Sequence, residues 1–130
     1  MNPIRTEAAP LPAGPYSQAI VHGGLVYVSG QLPVAPGEDP HPGNLEDEAR
    51  QALANLDAIL CAAGSGRAQV LRTTIYLSDL ALWGRFNAVY AEYFGDHRPA
   101  RTVVPTLPLH HGFQVEIDAV AAVALEGRTP

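Results

Sequence analysis

Apolar positions along the chain change their period several times, and those changes mark out strands and helices. Between Leu45 and Ala63, Leu45, Ala49, Ala52, Leu53, Leu56, Ile59, Leu60 and Ala63 recur at helical spacing, which predicts one long amphipathic helix. Asn44 stands where an N-cap belongs. Glu46, Asp47 and Glu48 suit the positive end of the dipole, and Gly64 sits at the stop. A second helix is predicted from a cap at Ser78 or Asp79 to about Phe94, with Phe86, Val89, Tyr90 and Tyr93 along its buried side. Ser17 to Val21 and Leu25 to Ser29 flank His22-Gly23-Gly24, where the glycines supply positive-φ turn positions, so this stretch reads as a β-hairpin. Val70 to Leu77, Arg101 to Thr106 and Gln114 to Ala124 are further strands, with a short edge strand near Ile4 to Thr6. Prolines and glycines crowd Gly30 to Gly43, which reads as a surface loop.

The resulting order, β-β-α-β-α-β-β, is α+β, with two helices able to cover one face of a single sheet. Along the last strand, Val115, Ile117, Ala119, Ala121 and Val123 alternate onto one face, while Glu116 and Asp118 share the other with Val120 and Ala122. Other strands are apolar on both sides, as with Leu71 and Ile75 against Val70 and Tyr76. Helices for only one of two apolar faces predict that the bare face packs against other subunits.

Composition adds limits. The length of 130 residues suits one domain over 1–130. Charged residues make up only 16%, a thin polar coat that agrees with surface covered by partners. Net charge is −5, and the 8 basic residues are arginines scattered along the chain, so nucleic acid is not an expected partner. Met1 to Pro15 has no secretory pattern and no apolar run is long enough to span a membrane, which points to the cytoplasm. The single cysteine, Cys61, rules out an internal disulfide, and its place at the end of the first helix predicts a buried structural thiol. The 5 histidines show no metal-ligand spacing, and the adjacent His110 and His111 would point apart on a strand, so no metal is expected.

Several residues could carry chemistry. Arg101 enters a β-rich strand; its planar fork matches a carboxylate, although spacing alone favours a surface or salt-bridged arginine. Glu116, on an otherwise apolar strand, is either a paired structural charge or an acid/base, because an unpaired buried carboxylate is costly. Gly14 to Ala19 and Ser29-Gly30-Gln31 are polar clusters that spacing alone assigns to turns, and Asn87 reads as a solvated helix residue. Phosphate loops, nucleophile elbows and Cys/His pairs are all missing from the sequence.

The chain nevertheless resembles the RidA/YjgF reactive-intermediate deaminases, also called endoribonuclease L-PSP, over nearly its whole length. The matching segments, in order, are Gly14-Pro15-Tyr16-Ser17-Gln18-Ala19, Val28-Ser29-Gly30-Gln31-Leu32-Pro33 and Gln51-Ala52-Leu53-Ala54-Asn55-Leu56. They continue with Thr73 to Leu80, Phe86-Asn87-Ala88-Val89-Tyr90, Pro99-Ala100-Arg101 and Val115 to Ala121. The resemblance implies a chorismate-mutase-like fold assembled as a homotrimeric barrel, with active sites between subunits. It assigns carboxylate binding to Arg101 and water handling to Glu116, with Tyr16, Ser29, Gly30, Asn87 and Val103 lining the cleft. Val103 stands where the best-studied branch has a cysteine, and Pro105 to Gly112 departs from that branch's turn.

By the same resemblance, the activity is hydrolytic deamination of 2-aminoacrylate-like enamines or 2-imino acids to 2-keto acids and ammonia. No cofactor is needed, since the imine carbon is already electrophilic. A non-catalytic trimer that binds or senses small carboxylates is the rival from another class, and endoribonuclease activity is a third reading.

Overall fold

The computed structural model describes residues 1–123; Ala124, the expected end of the last strand, lies outside them. Six strands form one sheet: β1 (Asn2–Ile4), β2 (Ala19–His22), β3 (Leu25–Gln31), β4 (Val70–Leu77), β5 (Ala100–Pro105) and β6 (Val115–Ala122). Helix α1 (Leu45–Ala62) joins β3 to β4, and α2 (Trp83–Phe94) joins β4 to β5. The strand order is β1-β2-β3-β6-β4-β5, with every pair antiparallel except β4 and β5. Strand β6 is thus inserted between β3 and β4, and β5 is an open edge. This is the expected α+β arrangement, a chorismate-mutase-like chain fold with β1 as a third strand ahead of α1.

Helix α1 forms where its stripe and caps dictate. The Asn44 side chain accepts from the Asp47 N–H at 2.9 Å, and Gly64 takes φ 79° at the other end while the Ser65 N–H reaches the Leu60 carbonyl. Its apolar stripe packs with Phe86 and Val89 of α2 onto Val26, Ile75, Val115 and Ile117 of the sheet, and all of these are buried. Burial of this kind stabilises by roughly 25 cal/mol per Å² of apolar surface. Asp79 caps as anticipated, but its carboxylate accepts from Ala81 in a separate short 3₁₀ turn (Leu80–Leu82), and α2 begins only at Trp83.

Four expectations need correction. Strand β3 does not end at Ser29: it passes through a bulge between Val28 and Gln31, so Ser29-Gly30-Gln31 is strand, not turn. A second bulge between Val70 and Arg72 shifts the facing of β4, so Val70 joins Ile75 in the core while Leu71 is 49% exposed on the bare side. Tyr76 on that side donates to the Asp118 carboxylate at 3.0 Å, so the uncovered face is more polar than alternation suggested. Cys61 is exposed, because it follows Leu60 on α1 and rotates about 100° out of the stripe.

Candidate active site

Arg101 opens β5 at the sheet edge, beside α2. Trp83, Asn87 and Tyr90 lie one helical turn apart on α2 and all reach the guanidinium. The Asn87 side-chain oxygen accepts from it at 2.7 Å, and the Trp83 and Tyr90 rings lie 5.5 and 4.8 Å from its central carbon. Tyr90 is itself fixed by a 2.7 Å hydrogen bond to the buried hydroxyl of Thr73. Among the described arginines, Arg101 alone is drawn partly out of solvent, and it faces no carboxylate of a described residue within 4 Å. Within the described residues it is neither a surface arginine nor a salt-bridged one. It borders a cavity of about 350 Å³ with Asn87, Phe94 and His97.

A second cavity, of about 550 Å³, gathers Tyr16, Ser29, Gly30 and Glu116. The β3 bulge builds it. Ser29 donates its hydroxyl to the Ser17 carbonyl at 2.7 Å, and a Cβ placed on Gly30 would lie 2.6 Å from Glu116 Oε2. Only glycine leaves the carboxyl room at that point. Burial pushes the Glu116 carboxyl above its usual range, and the neighbouring Asp118 adds to the rise. Such a group exchanges protons nearer neutrality than an ordinary glutamate. Tyr16 is 54% exposed over the cavity, and its hydroxyl accepts weakly from Ala13 at 3.4 Å.

The two clusters do not meet within one chain. Arg101 pairs with Thr73, whose side chain faces the helices, whereas Glu116 pairs with Tyr76 on the opposite face. They stand two strands and three residues apart, roughly 14 Å by strand spacing, and point to opposite sides of the sheet. Val103 lies on the Arg101 side and packs against the core. A ligand held by both Arg101 and Glu116 must therefore take them from different copies.

Sequence reasoning did not single out Trp83, Tyr90 or Glu48. The i, i+4, i+7 spacing of Trp83, Asn87 and Tyr90 is a signal that could have found the first two. Buried Glu48 was counted only as a dipole charge, yet its carboxylate accepts from the Gly43 and Gln114 N–H groups and from the Gln114 amide, tying down the loop behind the second cavity. His110 and His111 do not point apart. They sit in a 3₁₀ turn with ring centres 3.8 Å apart, on the wall of the Glu116 cavity. The described residues contain no cluster of three or more His, Cys, Asp or Glu suited to a metal ion.

Residues 6–123 match the family model described as Endoribonuclease L-PSP. The chain belongs to the RidA/YjgF family. Among its relatives, the RutC family protein PH0854 of Pyrococcus horikoshii is 45% identical over 120 residues, covering 91% of this chain and 94% of that one. The solved structure of E. coli TdcF with bound serine superposes at a TM-score of 0.90, with 34% identity over 95% of this chain and 100% of that chain. The E. coli YjgF gene product gives a TM-score of 0.89 at 36% identity, covering 94% of this chain and 98% of that one. Among the described residues of this RidA/YjgF protein, no helix is long and apolar enough to cross a membrane.

Proposed function

We propose that this protein is a cofactor-independent hydrolase of 2-imino acids and their enamine tautomers, active in the cytoplasm as a homotrimer with each site between subunits. The observation that carries the reading is Arg101: a half-buried guanidinium, braced by Asn87 and two rings, with no carboxylate among the described residues to satisfy it. A cation held in this way is preorganised for an external carboxylate. The relative TdcF was solved with serine, a small molecule bearing such a carboxylate. The separation of Arg101 from Glu116 supports composite sites, and the uncovered sheet face supports assembly.

In the proposed reaction Arg101 binds the substrate carboxylate and fixes the imine carbon beside Glu116 of the adjoining subunit. Glu116 accepts a proton from water as the oxygen adds to the C=N carbon, then returns it to nitrogen. The hydroxyl of the resulting carbinolamine then gives its proton to Glu116, which passes it to the amino nitrogen, so that the C–N bond breaks as the C=O bond forms, ammonia leaves and a 2-keto acid remains. Tyr16, Ser29 and the Gly30 backbone line the water side, while Asn87 and the backbone at Val103 border the carboxylate side. The imine carbon is electrophilic without a metal or organic cofactor, so positioning and charge complementarity carry the acceleration.

The test is ammonia release from 2-imino acids generated in situ by an amino-acid oxidase. The wild type is expected to accelerate imine loss. Arg101→Ala should lose roughly 10²-fold or more, the value of two charge-assisted hydrogen bonds. Full activity in that variant overturns the reading. Glu116→Gln separates enzyme from sensor, since it should cost turnover while sparing the affinity for a 2-keto acid. The endoribonuclease reading finds no support in the net charge of −5.

A further inference from the structure

The turn between β5 and β6 carries chemistry that the proposed reaction does not use. His111 takes φ 63° and ψ 13°, a left-handed conformation that side-chain-bearing residues rarely adopt. Buried Phe113 anchors the turn, and the Leu109 and Phe113 backbones are hydrogen-bonded across it at 3.1 Å, so the unusual residue is held in place. The result is two imidazoles with ring centres 3.8 Å apart, tilted by 49°, on the wall of the cavity that holds Glu116.

We propose that His110 and His111 form a subsite for a second acidic group, so that the preferred substrates are 2-imino acids with an anionic side chain. The inference rests on the imine-hydrolase reading and names the substrate class of that same site. Neither imidazole hydrogen-bonds another described residue, whereas Gln18, Ser29 and Gln31 on the same wall already donate to backbone carbonyls. Among the described residues the wall carries no arginine, so the two rings are its uncommitted nitrogen donors. Arg101 takes the carboxylate shared by every 2-imino acid and discriminates nothing about the side chain. Donors on a separate wall are what selects among side chains.

The test compares kcat/KM for acidic, aliphatic and aromatic 2-imino acids in the wild type and in the double variant His110→Gln, His111→Asn. Asparagine tolerates the left-handed backbone, so this variant keeps the turn. In parallel, calorimetry measures binding of 2-oxoglutarate against 2-oxobutanoate. The wild type is expected to favour the acidic imine about tenfold, and the variant to bring the ratio within about twofold. If imines are hydrolysed with no acidic preference, or the variant leaves the ratio unchanged, the subsite falls and the hydrolase stands. If no imine is accelerated but 2-oxoglutarate binds more tightly in a histidine-dependent way, the hydrolase falls and the subsite stands. Neither preference nor acceleration sinks both.

Discussion

A guanidinium needs a partner, and among the described residues the Arg101 guanidinium has only an amide oxygen and two ring faces. Asn87 fixes the plane of the fork. Asn87→Ala should therefore raise KM for a 2-imino acid about tenfold with a smaller change in kcat, the loss of one hydrogen bond to a charged group. Gly30 borders the other half of the proposed chemistry. Gly30→Ala puts a methyl group 2.6 Å from Glu116 Oε2, so the carboxyl must swing away. Turnover should fall by roughly 10²-fold, the value of a positioned acid/base, while thermal stability changes little. The carboxyl itself sets a pH signature. As a base, Glu116 must be ionised, and burial followed by Asp118 raises its pKa. The acid limb of kcat/KM is expected above the ordinary carboxylate range, with activity gained as pH rises through it. Asp118→Asn should move that limb to lower pH, and an unmoved limb would assign it to another group. At this scale ordered motifs made the residues themselves legible, Arg101 and Glu116 included. Their surroundings were not. The bracing of Arg101 by Asn87 and the closeness of Gly30 to Glu116 are contacts between residues 14 and 86 positions apart, which no local pattern encodes.

Among the elements, α1, β4 and β6 were readable almost to the residue, because long periodic stripes and good caps agree there. The failures fall at bulges. One extra residue in β3 and another in β4 reverse the facing of every later position in the strand, and alternation counts positions without knowing which one the partner strand skips. The β3 bulge carries the functional consequence, since it brings Ser29 and Gly30 to Glu116. The His110-His111 turn escaped for a related reason: read as strand, its rings diverge, but a left-handed His111 brings them together. Glu48 shows how an element holds a loop it does not border in sequence. Glu48→Ala leaves the Gly43 and Gln114 N–H groups without their acceptor. It should destabilise the fold by about 2–4 kcal/mol in urea unfolding, with Glu48→Gln costing less. Equal stability of wild type and Glu48→Ala would deny the carboxylate its structural role.

The molecule as a whole is a sheet with helices on one side. Its other side presents Tyr27 and Leu71 at 47% and 49% exposure, beside Tyr76, Val120 and the Glu116-Asp118 pair. The sequence implied two apolar faces and cover for only one; the structure leaves one face without helices, and that face is more polar than expected. A trimer packed through this face would cover the exposed rings, and the proposed function requires an Arg101 from one copy to meet a Glu116 from the next. Native mass spectrometry on the wild type is expected to find three chains.

The proposed composite site has a sharper consequence. If Arg101 and Glu116 meet across a trimer interface, Arg101→Ala and Glu116→Gln each remove one half of every site, so each variant alone should be nearly inactive on 2-imino acids. When the two variants are unfolded together in equal amounts and refolded, each mixed site draws Arg101 and Glu116 independently from different subunits. Ammonia release should then recover to about a quarter of the wild-type rate. A mixture that stays at the level of the separate variants would contradict the account, because it would place both residues in sites that one chain completes alone.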